Sequence, residues 1–224
     1  MKRSIKEILL RVAILMAGLT VAHLGVTLFL LSDLGADPFN VLVQGICRTL
    51  QKVTDWNLSH GSVHRLICLV IILALLVIDR SYVKIGTILC MFCGGPIIDF
   101  FTAMLHGIFN SGSPLWLRYA ILAAGCVILA FGMTMVIKSD AGTGPNDLVA
   151  LVISDKTKWR FGVVRVCTDA AFVLVGYLAG GIFGAGTIIC AFLIGPVADF
   201  FLPRNEKWIQ KLLHRVLQKD KSNI

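Results

Sequence analysis

The sequence predicts an all-α, polytopic membrane bundle of two homologous halves, each with three long helices and one short one, related by a pseudo-two-fold axis. Three observations predict it. The 224 residues are 57% hydrophobic and only 15% charged, where soluble domains carry about 25% charged residues. Apolar runs of roughly 20 residues, enough to cross a hydrocarbon core of about 30 Å, recur along the chain. Two long stretches also repeat each other. So apolar a composition excludes disorder and a disulfide scaffold, and no basic soluble domain is left to bind nucleic acid.

Taken in order, residues 1–11 carry four bases against Glu7, then Val12 to Leu31 forms a first helix. It lacks a small-x-small cleavage site, so it reads as a retained membrane helix. Pro38 to Lys52 is a short apolar segment interrupted by Arg48, and Pro145 to Lys156 is another, interrupted by Asp147. Proline is favourable in a helix's first turn, where its missing N–H would be unpaired anyway, so Pro38 and Pro145 open both segments. The remaining long runs are Val63 to Ile78, Ile85 to Leu105, Leu117 to Ile137, Phe161 to Leu178 and Ala185 to Leu202. Pro96 and Pro196 lie inside two of them and are expected to break the helix locally, freeing carbonyls of the preceding turn. Residues 1–203 therefore make one transmembrane domain. Residues 204–224 read as a separate basic amphipathic helix on the cytoplasmic interface, with Trp208, Ile209, Leu212, Leu213, Val216 and Leu217 on its apolar stripe. Both tails are positive, which places both termini in the cytoplasm and makes the number of crossings even.

The repeat comprises residues 11–105 and 118–203. Arg11-Val-Ala-Ile-Leu matches Arg118-Tyr-Ala-Ile-Leu, and Ser32-Asp33-x-Gly35-x-x-Pro38 matches Ser139-Asp140-x-Gly142-x-x-Pro145. Residues 86–101 match residues 186–201 at 10 of 16 positions, including Gly-Pro-x-x-Asp-Phe-Phe. Apolar composition alone would not align these residues in order. If the short segments span the membrane, the halves share an orientation; if they re-enter, the second half is inverted. Matched Arg11 with Arg118 and Arg65 with Arg165 favour parallel halves with eight membrane segments, since opposite insertion calls for opposite flanking charges.

The candidate site follows from charges that are expensive at membrane depth. Broken helices present free N–H groups to small solutes, so Asp37, Asn40, Asn146 and Asp147 at the two short-helix starts are the expected substrate contacts. Asp99 and Asp199, in the duplicated Gly-Pro-x-x-Asp, and the unmatched Asp169 are the expected ion-coupling carboxylates; pairing with Arg65 or Arg165 is their architectural alternative. The seven cysteines read as free buried thiols. Cys90 and Cys93 form a CxxC without a second pair, so no metal site and no cofactor is expected. No catalytic signature is present, and the chain is not expected to be an enzyme.

The Ser-Asp-x-Gly-x-x-Pro turn, the Gly-Thr-Ile opening of each half's last helix and the duplicated Gly-Pro-x-x-Asp resemble the YczE/YyaS/YitT group of bacterial integral membrane proteins, over about residues 10 to 203. The resemblance implies the bacterial inner membrane and a duplicated helical bundle, with no settled activity to carry over. Together these readings lead to an expected secondary transporter or permease for a small polar solute. The alternative is a non-transporting accessory or scaffolding protein. The expected partners are the lipid bilayer and a small solute or ion, with homo-oligomerisation left open.

Overall fold

The computed structural model describes residues 4–53, 60–105 and 113–221. These residues form α1 (Ile5–Leu31), α2 (Pro38–Val53), α3 (His60–Ile78), α4 (Ile85–Leu105), α5 (Leu115–Ser139), α6 (Pro145–Thr157), α7 (Phe161–Leu178) and α8 (Ala185–Lys221), with a 3-10 turn at Arg80–Tyr82. α1, α4, α5, α7 and the Ala185–Leu217 part of α8 are long and apolar enough to cross a membrane, and α3 contains a shorter apolar stretch, Ser62–Ile78. The chain is a multi-pass, all-helical membrane protein. Pro38 and Pro145 open α2 and α6, as their place in the sequence predicts.

At the centre α1 and α5 cross closely because glycines remove the side chains between them. A Cβ added at Gly18 would stand 3.0 Å from the Gly132 carbonyl oxygen, and one at Gly125 would stand 2.8 Å from that of Gly25. Without a hydrophobic drive between helices in lipid, such close backbone approach supplies much of the packing energy. The order of these contacts fixes direction. Arg11 Nη1 donates to the Ser139 carbonyl at 3.0 Å and Arg118 Nε to the Ser32 carbonyl at 2.7 Å, so the start of each helix lies beside the end of the other. α1 and α5 are antiparallel. This corrects the parallel arrangement favoured by the matched arginines. Both arginines are held by carbonyls at the far end of the opposite helix, so they report a shared contact and not a shared side of the membrane.

α4 runs alongside α1, with Gly86 against Leu15 and Gly94 against His23, and α8 runs alongside α5, with Gly186 against Leu122. α7 closes on α8 where Gly162 meets Gly195. Both short helices return to the end of the bundle that their chain left. Before α2, Leu34 and Ala36 bond Gly186 and Thr187; after it, Arg48 and Thr49 bond the Gly180 and Ala179 carbonyls. Both ends therefore face the α7–α8 connection. α6 likewise has Ala141 bonded to Gly86 before it and Lys156 paired with Asp79 at 3.2 Å near its end, both at the α3–α4 connection. Eight spanning segments are thus not what the chain builds.

Two further expectations change. α4 and α8 continue unbroken through Pro96 and Pro196, which are exposed; membrane helices tolerate proline where neighbouring groups re-satisfy the freed carbonyl. Residues 204–221 are not a separate helix but the continuation of α8, and residues 222–224 lie outside the described residues. Ile209 and Leu213 are buried against Leu10 and Ile14 of α1, while Asn205 donates to Thr134 Oγ1 at 2.7 Å and Lys138 pairs with Glu206 at 2.8 Å. Ile209 and Leu213 of the apolar stripe thus pack on protein while Trp208 and Val216 stay exposed, and the start of α1 lies beside the last turns of α8.

Candidate functional site

Each short helix starts after a break built from the same backbone. Asp33 and Asp140 adopt φ of 51° and 57°, and Gly35 and Gly142 adopt φ of 138° and 141°. The glycines are required there, because other residues rarely adopt such angles. Gly186 N–H donates to the Leu34 carbonyl and Gly86 N–H to the Ala141 carbonyl, each at 2.9 Å. Arg118 pairs with Asp33 at 3.2 Å and Arg11 with Asp140 at 3.6 Å. The two breaks therefore share their left-handed residues, a backbone bond to the opposite half and an arginine pair, while the Lys84–Asp140 pair and the Thr187 bond to the Ala36 carbonyl belong to one break each.

The side chains are not matched. At the first break Asp37 caps its own helix: Oδ1 accepts the Asn40 backbone N–H at 3.2 Å and Oδ2 accepts the Asn40 side-chain amide. At the second, Gly144 offers no side-chain cap and Asp147 supplies the negative charge in the first turn of α6. Carboxylates in these positions complement the positive end of the helix dipole. Asn146 Nδ2 donates to Asp147 Oδ1 at 3.2 Å, and the same oxygen accepts from Arg165 Nη1. Arg165 Nε donates to Asp169 Oδ2 at 2.9 Å. Asp169 is completely buried, Arg165 is 6% exposed, and Asp169 Oδ1 has no hydrogen-bond partner among the described residues. Nearby Asp37 and Asp147 both bear electrostatically on Asp169. His23 of α1 bonds the Leu19 carbonyl through Nδ1 at 2.8 Å and feels the charge of Asp147.

The structure thus joins Asp147, Asn146 and Asp169 through Arg165, brings Asp37 within electrostatic reach of Asp169, leaves Asn40 bonded to Asp37, and separates the other two carboxylates. Asp199 caps the start of α7, accepting the Gly162 N–H at 2.7 Å with Arg160 at 3.3 Å, and so ties α7 to α8. Asp99 is exposed on α4 and is not among the groups contacting Arg165. Sequence reasoning treated Arg165 only as a neutralising partner. Its position four residues before an unmatched carboxylate on an apolar helix was the available signal. Thr143, whose buried Oγ1 also lacks a partner among the described residues, gave no signal at all.

Two cavities approach the second break. A crevice of about 220 Å³ is lined by Arg11, Lys84 and Asp140 with Ile8, Val12, Ile85 and Ala141. A smaller cavity of about 50 Å³ reaches Gly142 and Thr143. Lys84 and Asp140, which form an ion pair, line both.

Comparison with known proteins gives no activity to transfer. The model of DUF6198, a family of unknown function, matches residues 9–203. The chain is 27% identical over 203 residues to the uncharacterised membrane protein YczE of Bacillus subtilis, covering 89% of each chain. It is 28% identical over 191 residues to an uncharacterised Haemophilus influenzae protein, covering 85% of this chain and 83% of that one. It is also 23% identical over 190 residues to Bacillus subtilis YyaS, covering 85% and 91%. No solved structure matches.

Proposed function

The chain belongs to the DUF6198 family of unknown function, and we propose that it is a secondary transporter for a small polar solute in the bacterial inner membrane, with both termini cytoplasmic. On this reading it is a duplicated unit whose second copy is inverted, and α2 and α6 are re-entrant helices entering from opposite faces. One observation carries the reading: the starts of both short helices are polar, and one of them is tied through the half-buried Asp147 to the buried Arg165–Asp169 pair. Inverted repeats with discontinuous helices place binding sites at the midplane of many transporters. Buried ionisable groups there mark pathways more readily than they stabilise a fold.

Asp37, Asn40, Asn146 and Asp147 contact the solute in this scheme, and Asp169 lies behind them. The Lys84–Asp140 pair lines both cavities at the second break and serves in this scheme as the gate on the side of the termini. The chain is a carrier here and not an enzyme. Flux into proteoliposomes, measured against a panel of small solutes with and without a proton gradient, tests the proposal. Uptake of at least one solute that is abolished by Asp147→Ala supports it; no uptake of any solute overturns it.

A further inference from the structure

We propose that the ligand of this site is a small monovalent cation carrying an ammonium group, and that a proton competes with it for Asp169; this rests on the transport reading above. The argument is one of charge. A helix start carries roughly half a positive charge, and Asp37 and Asp147 occupy the starts of α2 and α6. The anion-binding capacity of both helix ends is therefore already taken by the chain's own carboxylates. Arg165 adds one positive charge but is shared between Asp147 and Asp169. Three carboxylates against one guanidinium and two half-charges leave about one negative charge unmatched.

The unmatched charge has an address. Asp169 Oδ1 is completely buried with no donor among the described residues, an arrangement that is costly unless a cation or proton completes it. About one unmatched negative charge calls for a monovalent ligand, and among the described residues no group of three or more His, Cys, Asp or Glu side chains is arranged to hold a metal ion. Aromatic rings lie one turn away. Phe172, three residues after Asp169, meets Phe39 edge to face at 5.5 Å, and Phe39, between Asp37 and Asn40, meets His64 at 5.3 Å. An apolar aromatic cluster one helical turn from a carboxylate suits an alkylammonium group better than an anion. The other groups facing Asp169 are Arg165 on its own helix, Asp147 of α6, Asp37 before α2 and Cys190 of α8.

Isothermal titration calorimetry of the full chain in detergent, with methylammonium, choline and guanidinium chlorides and with sodium acetate, tests the inference. Saturable binding of at least one cation is expected, weakening about tenfold per pH unit once a single carboxyl becomes protonated. Asp169→Asn should abolish it and Arg65→Gln, at the exposed counterpart of Arg165, should leave it unchanged. The wild-type pH dependence decides the matter even if Asp169→Asn does not fold. Acetate binding without cation binding, cation affinity that ignores pH, or no saturable cation binding overturns the inference. Flux of a neutral or anionic solute would then leave the transport reading standing alone, whereas cation binding without any flux would overturn that reading instead.

Discussion

At the first break Asp37 stays within its own helix, bonded twice to Asn40. At the second, Asp147 reaches across to Arg165 on α7 and through it to Asp169. Yet the backbones around the two breaks share their left-handed residues, their glycines and their bonds to the opposite half. The difference teaches that the scaffold and the chemistry are separable here. Steric demands keep the turns alike, while charge has been concentrated at one break. Counterpart positions show the same split: Arg65 is exposed and, among the described residues, bonds locally to Ser62, and Leu69 stands where the second half has Asp169.

The largest expected effect breaks this asymmetry. Arg165→Leu leaves two carboxylates without their cation and should cost about 3 to 5 kcal/mol of stability, whereas Arg65→Leu should stay within about 0.5 kcal/mol; chemical unfolding in micelles measures both. Equal costs would mean that the buried network has no special standing. Next comes the shared scaffold. Gly25→Val and Gly132→Val, at counterpart positions of the α1–α5 crossing, force a side chain against backbone and should each cost about 2 to 3 kcal/mol, while Gly95→Ala, with open space around it, should cost nothing. Unequal costs for the valines would show that the crossing is not shared evenly. Asp37→Ala removes a cap and should cost about 1 kcal/mol, read in the same unfolding assay.

The smallest effect concerns the far ends of the short helices. Ser81, through its hydroxyl and its N–H, and then Lys156 hold the Asp79 carboxyl below the usual carboxylate range. The contribution of a depressed carboxyl is complete above its unfolded pKa and is lost as pH falls through the folded one. The end of α2 is held by Arg48 and Thr49 on carbonyls, which do not titrate. Acidification should therefore raise intrinsic-rate-corrected amide exchange at residues 153–157 and leave residues 49–53 unchanged.

Much of this was legible in the chain. The apolar runs located every helix to within a few residues, apart from the extension of α1 towards its start and of α8 through residue 221, because length and hydropathy decide what lipid accepts. Pro38 and Pro145 marked the starts of α2 and α6. Direction was not legible, because Arg11 and Arg118 have the same neighbours whichever way the halves run; only their carbonyl partners, more than 80 residues away in sequence, separate the alternatives. The extension of α8 was read as lipid-facing because its apolar stripe is equally suited to a membrane surface or to α1. For the site, Asp147 and Asp169 were visible as misplaced charges, but the guanidinium joining them was not visible as a functional group. Periodicity places Arg165 and Asp169 on one face, and nothing in it brings Asp147 of another helix to the same atom.

The central claim is that α2 and α6 enter the bundle from opposite faces, and cysteine accessibility tests it most directly. In a cysteine-free background, single Lys52→Cys and Lys156→Cys variants in intact cells and in inverted vesicles would be labelled with a membrane-impermeant maleimide. Labelling of residue 52 only from outside and residue 156 only from the cytoplasmic side is the predicted result. Labelling of both from the same side would contradict the account.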